Sequence, residues 1–370
     1  MGGFVTAGDW HLSRLTWQHR PRIVGDSFFA LEQIVSFCIE RRAALLGLGD
    51  LCDKDRPDSA AVTCLSQQMQ RMQDAGLPVF YIQGQHEMAS PPWMSVHAWP
   101  IHVDRMCFTI PGLQEVTFYG LDWRPREQFE AAMAEMLTCP ITPQFLLTHQ
   151  VWNEHMGNVV TVPEANMQQV PPYVWAVLTG DYHKHQITTH ATPNGSKQLV
   201  STGAISVRNL GELDQKYFYY CPCETNLEFL SVPIRGRPWV STQITSLDQL
   251  TPLKEQLQAQ AVGLPDYMQA PICDLKVSAD IPGAYQAISE AFQDSHLWLE
   301  VTRSEIQAQE VVLTEAAAQA QSLPDLISAN VPEGDTREDL LELIGSHLSP
   351  TEAVRSLVAR ITQVEGANAS

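Results

Sequence analysis

The stretch AALLGLGDLCDKD, residues 43–55, runs apolar from Ala43 to Leu48 and then turns abruptly to Gly49, Asp50 and Asp53. A short apolar block bounded by a glycine reads as a buried strand. Its carboxyl end presents the two carboxylates. The same pattern recurs along the first 240 or so residues. Phe4–Ala7 ends at Asp9 and His11, and Val79–Ile82 ends at Gly84, Gln85 and His86. Phe145–Thr148 ends at His149, and Val174–Leu178 ends at Gly180, Asp181 and His183. Between these strands lie helical patterns. Asp26–Arg41 places Leu31, Ile34, Val35 and Cys38 at helical spacing. Asp58–Ala75 does so with Val62, Leu65, Met69 and Met72, with Gly76 as its stop, and Glu127–Leu137 follows. Strand–helix alternation predicts an α/β layered fold. In such folds sites form beyond the carboxyl ends of the strands.

The 370 residues suffice for two domains, and a 44% hydrophobic fraction supplies a core. No run approaches the roughly 20 apolar residues that a membrane helix needs. The opening MGGFVTAGDWH has no basic region followed by an apolar block. The expectation is a soluble, cytoplasmic protein without a membrane segment. The eight cysteines form no CxxC pair, so reduced thiols are expected rather than a disulfide framework or zinc finger. A net charge of −19 argues against coating nucleic acid by bulk charge, but not against a local basic patch.

Taken singly, each strand-end motif is a common turn. Together they form an ordered set: Asp-x-His, Gly-Asp-x-x-Asp, Gly-x-His-Glu, Thr-His and Gly-Asp-x-His. Mixed carboxylate and imidazole donors suit Mn²⁺, Fe or Zn. Two such ions side by side clamp a phosphate and activate water. In the fifth motif, TGDYHKH (179–185), the ligand pair reads either as Asp181/His183 or as His183/His185.

With AGDWHL (7–12), LGDLCDKDRPD (48–58), IQGQHE (82–87), LLTHQ (146–150) and LTGDYHKHQ (178–186), the chain resembles the calcineurin-like metallophosphoesterases. The nearer branch is that of the SbcD-like DNA-repair exonucleases, and VSTGAISVRN (200–209) resembles a later loop of those enzymes. The resemblance implies a four-layer αββα sandwich over residues 1–235. It further implies a small α+β capping domain over 236–309 and a linker and helical tail over 310–370. Asp9 and His11 would bind one metal, Asp50 would bridge two, and Gln85, His149, Asp181 and His183 would complete the set. The ions implied are Mn²⁺, with Mg²⁺ as the alternative. His86 would act on the transition state or protonate the leaving 3′ oxygen, and Asp53 would orient His11 or His86. Two positions depart from the family: Gln85 stands for Asn, and Asp181 for His. The implied activity is metal-dependent DNA exonuclease or endonuclease hydrolysis in repair or recombination. The implied partners are DNA, an SbcC-like ABC-type ATPase bound through the tail, and a second copy through the early helices.

The acid-free loop RLTWQHRPR (14–22) is a candidate DNA contact, with Arg14, Arg20 and Arg22 for phosphates and Trp17 for stacking. Arg124, Arg126, Lys184 and Arg208 are further phosphate candidates. A small-molecule phosphoesterase on the same fold, or a scaffold with a weakened site, are the rival readings. Ser349-Pro350-Thr351-Glu352 starts a helix whose stripe Val354, Leu357, Val358, Ile361 and Val364 fits partner docking.

Overall fold

The computed structural model describes residues 2–15, 17, 22–156, 165–192, 195–222, 228–278 and 280–302. The body opens with β1 (Phe4–Ala7), α1 (Asp26–Arg41), β2 (Ala44–Leu48), α2 (Ser59–Asp74), β3 (Val79–Ile82) and β4 (Ile101–His102). The hairpin β5 (Met106–Ile110) and β6 (Leu113–Gly120), α3 (Arg126–Met136), β7 (Phe145–His149), α4 (Asn153–Met156) and β8 (Ala176–Gly180) follow. The body closes with β9 (Gln186–Thr192), β10 (Gly195–Ser201), β11 (Tyr217–Cys221) and β12 (Leu230–Pro233). A last module comprises β13 (Trp239–Ile244), α5 (Leu250–Ala261), β14 (Ile272–Ser278), α6 (Ala284–Ala291) and β15 (His296–Thr302).

Among the described residues the strands form two six-stranded sheets and one of three. The first sheet runs β12-β11-β1-β2-β3-β4 and the second β5-β6-β7-β8-β10-β9. Their stacking follows from side-chain alternation. In β2, Ala44, Leu46 and Leu48 point to a core shared with Phe145 and Leu147 of β7 and Leu178 of β8. Leu45 points the other way, into the layer of Leu31, Ile34 and Val35 of α1 and Leu65, Met69 and Met72 of α2. On the far side of the second sheet, Leu146 and Val177 meet Phe129, Ala132 and Met133 of α3. Helix, sheet, sheet and helix are thus four layers of a mixed α/β fold, consistent with a metallophosphoesterase sandwich. Between the sheets, Phe118 meets Phe4 edge-on at 5.3 Å and stacks on Phe145 at 5.1 Å. Such pairs add about 0.5–1.5 kcal/mol each beyond area burial.

Helix starts and stops follow local chemistry. Asp58 caps α2 by accepting from the Ala61 N–H at 2.8 Å, and Gly76 takes the left-handed turn after it (φ 67°). β1, β2 and β3 run parallel, as do β7 and β8, so each group ends at one edge of its sheet.

The third sheet is all parallel, in the order β13-β14-β15, with Leu257 of α5 and Ile288 of α6 in its core beside Leu275 and Val277. The contacts that hold it to the body include the buried ion pair Arg237–Asp26 and the Trp17–Trp298 ring pair at 5.1 Å. The helical tail expected over 310–370, and residues 303–309, lie outside the described residues. Among the described residues, no helix is long and apolar enough to cross a membrane.

Candidate metal centre

The loops after β1 and β2 are laced together by their backbones. Asp9 N donates to Gly49 O at 3.0 Å, His11 N to Asp50 O at 2.8 Å, and Leu12 N to Leu51 O at 3.0 Å. The backbone here takes an uncommon conformation. Asp9 (φ 50°), His11 (φ 43°), Asp50 (φ 48°) and Asp181 (φ 76°) are all left-handed without being glycine. Each such residue costs of order 1–3 kcal/mol and persists where neighbours over-determine it. Close approach also demands glycine beside them. A Cβ on Gly84 would lie 2.1 Å from Asp50 Oδ1, and one on Gly49 (φ 81°) 2.5 Å from His149 Nδ1.

Three groups of donor atoms result, each with its atoms within 4.8 Å of one another: Asp9/His11/His183, Asp9/Asp50/His149 and His11/Asp53/His86. Asp9, His11, Asp50 and His149 are buried; His86 and His183 are partly open. Three of the four imidazoles are held from behind. His149 Nδ1 donates to Leu48 O at 2.6 Å, His86 Nδ1 to Asp53 O at 2.8 Å, and His183 Nδ1 to the Glu212 carboxylate at 3.0 Å. In each the proton sits on Nδ1 and Nε2 turns inward, the arrangement that orients metal-binding histidines. His149 Nε2 and His11 Nδ1 are buried without a hydrogen-bond partner. His11 Nε2 and His183 Nε2 face one another at 3.2 Å. Buried, inward lone pairs among carboxylates fit divalent cations, and the donor set fits borderline ions such as Mn²⁺ or Zn²⁺.

The charges are strongly interdependent. Burial pushes Asp9 up to about 6, against the pull of His149 and His183. Burial acts on Asp50 in the same direction, but His149 and His11 outweigh it and hold that carboxyl below the usual range. Burial opposes a charge on His149, yet Asp50 and Asp9 raise it well above the ordinary imidazole value. His11 falls well below it through burial and then Arg208. An arriving cation displaces the protons these imidazoles hold.

The two departures from the family pattern meet each other. Gln85 Nε2 donates to Asp181 Oδ1 at 2.7 Å, and Asp181 N donates to Asp9 Oδ1 at 3.0 Å. Asp181 belongs to none of the three donor groups. His185 is fully engaged elsewhere: Nδ1 bonds Thr202 O, Nε2 bonds Ser231 Oγ, and the ring stacks on Tyr219 at 3.9 Å. The fifth motif therefore brings His183 to the cluster, while Asp181 and His185 bond elsewhere. Asp53 contacts His86 through its backbone carbonyl. Its carboxylate lies 3.6 Å from His11 Nδ1 and binds the Arg208 guanidinium.

The expected DNA-stacking role of Trp17 does not hold. The ring is 6% exposed, packs with Ile23, Ile272 and Trp298, and donates Nε1–H to Val207 O at 3.0 Å. Arg14 and Arg22 are exposed, and Arg20 lies outside the described residues. Arg208 is engaged by Asp53, Arg124 by Asp104 and Arg126 by Glu130; Lys184 is exposed.

Two acids were given no role by the motif reading. Glu87, buried and pushed up to about 8 by burial and then by Asp50, accepts from Gly84 N at 3.0 Å and Cys52 N at 3.1 Å. It ties together the loops carrying His86 and Asp50, and its adjacency to His86 was the available signal. Glu212 stands 29 residues beyond His183 with no motif around it, so only the fold reveals it. Glu212→Ala is expected to weaken Mn²⁺ binding about 10–100-fold by freeing the His183 ring. Calorimetric titration checks this, and a loss under about twofold would refute the orienting role.

No family model matches the chain. It is 22% identical over 235 residues to the uncharacterized metallophosphoesterase YhaO of Bacillus subtilis (strain 168), across 58% of this chain. The chain spans 56%, about half, of that relative's length. Among solved structures, TT1561 of Thermus thermophilus superposes with a TM-score of 0.41 at 13% identity, covering 62% of this chain and 97% of that one. The Thermus thermophilus sulfate thiohydrolase SoxB in complex with glycerol gives 0.30 at 9%, covering 56% and 42%. Metallophosphoesterases use divalent metals, and the similarity to the Bacillus protein supports that family for this chain.

Proposed function

We propose that the protein is a divalent-metal-dependent phosphodiesterase that hydrolyses DNA. The observation that carries the reading is the convergence of four imidazoles and the carboxylates of Asp9, Asp50 and Asp53 at the ends of parallel strands. The curated similarity supports a hydrolase acting on phosphoesters. The DNA substrate rests on the motif resemblance to the SbcD-like branch and on a small α/β module following the body.

Asp9, His11, Asp50, His149 and His183 would hold the ions, with Gln85 and Asp181 as a linked pair at their margin. When bound, such ions polarise a phosphate and lower the pKa of water. His86 is placed for a different task. Its side chain is 38% exposed, with Nδ1 tied to Asp53 O and Nε2 3.8 Å from Asp50 Oδ2. The ring thus presents a free Nε2 between the cluster and solvent. With a second proton on Nε2, the ring can give that proton to the departing oxygen or donate a hydrogen bond to the phosphoryl oxygens from there. The proposed partner is an SbcC-like ABC-type ATPase engaged through residues 310–370, which lie outside the described residues.

A small-molecule phosphodiesterase is the second reading. It is favoured by one finding: burial of Trp17 and engagement of Arg208 remove two expected DNA contacts. Assaying linear duplex DNA and a small aryl phosphodiester with Mn²⁺ separates the two. His86→Ala is expected to slow hydrolysis of the true substrate about 10²–10⁴-fold. Undiminished turnover in that variant would overturn the assignment, and turnover of the aryl ester without DNA cleavage would select the second reading.

A further inference from the structure

The cysteines look scattered in sequence, but two of them meet. Cys107 lies on β5, the outer strand of the second sheet, and Cys139 in the turn after α3. Their sulfur atoms are 2.7 Å apart. Both residues are half-buried, whereas the other described cysteines, Cys38, Cys52, Cys64, Cys221 and Cys273, are buried. The two elements are fixed independently of the sulfurs. Arg105 beside β5 pairs with Glu135 of α3 at 3.3 Å, and Cys139 N donates to Met136 O at 3.1 Å. Both cysteines also pack with Tyr173 against the core under α3. A disulfide bond of about 2.05 Å is therefore a sub-ångström approach away.

We propose that Cys107 and Cys139 form a redox-sensitive dithiol that closes to an intramolecular disulfide. The co-reactant is a low-molecular-weight disulfide such as oxidised glutathione. Burial and the adjoining Cys139 sulfur push the Cys107 thiol up to about 12, which makes it a poor first nucleophile. The Cys139 thiolate attacks one glutathione sulfur, forms a mixed disulfide and expels one glutathione thiolate. Cys107 then loses its proton, attacks the Cys139 sulfur and expels the second. The two cysteine thiols are oxidised, the glutathione disulfide is reduced, and the two protons end on the two glutathione thiols. The bond joins an edge strand to the end of a helix across a long loop, which restricts the unfolded chain.

The test incubates the whole protein with oxidised glutathione, blocks remaining thiols by alkylation, and maps peptides without reduction. The expected result is a Cys107–Cys139 linked peptide, a mass loss of two hydrogens, and a Tm raised by roughly 3–8 °C. Dithiothreitol should reverse the mass loss and the Tm rise. Cys139→Ser and Cys107→Ser should each lose the link and the shift, while Cys273→Ser keeps both. Alkylation of both thiols after full oxidation, or separate glutathione adducts on each, would overturn the proposal.

Discussion

Asp50→Ala is expected to weaken divalent-cation binding more than about 100-fold, beyond what losing a residue that merely orients a ligand does. Hydrolysis should fall by about 10³-fold or more, the loss expected when a group that fixes developing charge is removed. The reason is its central place. Asp50 Oδ2 lies 3.5 Å from His149 Nε2, 3.6 Å from His11 Nε2 and 3.8 Å from His86 Nε2, while Oδ1 accepts from His86 N at 3.0 Å. No other carboxylate among the described residues touches three of the four imidazoles at these distances. Asp50→Asn keeps an acceptor for His86 N but removes the charge, so it separates the loop-holding role from the ligand role. Calorimetry with Mn²⁺ reads the first effect and phosphodiester turnover the second. An Asp50→Ala protein that still binds two ions tightly would refute the centre as drawn.

The second large effect concerns stability. Arg237, at the entry to the last module, is buried and fully engaged. Its Nε and Nη2 grip the Asp26 carboxylate at 3.0 and 2.7 Å, and its remaining protons reach Ala270 O, Tyr267 O and Val24 O at 3.0, 2.8 and 3.3 Å. Burial raises Asp26, and Arg237 works against that rise. Arg237→Ala leaves a buried carboxylate without its cation and takes a donor from three carbonyls, at a cost of about 3–5 kcal/mol. That is a large share of the roughly 5–15 kcal/mol that holds a typical protein folded. Urea denaturation checks it; Lys at 237 should rescue little, because it lacks the planar fork. A loss below about 1 kcal/mol would show that the pair contributes no more than a surface contact.

Strands buried on both faces were the most legible part of the fold. The run Ala43–Leu48 reveals itself because neighbours cover it from both sides, which leaves a continuous apolar string. β9, QITTHAT, does not. As an edge strand it alternates between half-buried and exposed positions, so neither hydrophobic period appears. The candidate site was legible where donor side chains follow directly on a strand, as at Asp9, Asp50, His149 and His183. It was illegible where a side chain arrives from far along the chain. Glu212 behind His183, Arg208 against Asp53 and Cys139 against Cys107 carry no local pattern, because tertiary packing alone makes them neighbours. Trp17 was misread for the same cause: a tryptophan in a basic loop looks available until a distant module closes over it.

The left-handed backbone at Asp9, His11, Asp50 and Asp181 bears on what selection would do with this chain if stability were its only concern. At each of these positions glycine would relax the peptide, and a single substitution would supply it. The chain holds aspartate or histidine at all four. At Asp9, His11 and Asp50 the fold therefore tolerates a standing tension that leaves candidate donor atoms already aimed, so that capture of an ion would require little rearrangement of the frame. A drift toward glycine at these positions would give a sturdier protein with an idle centre.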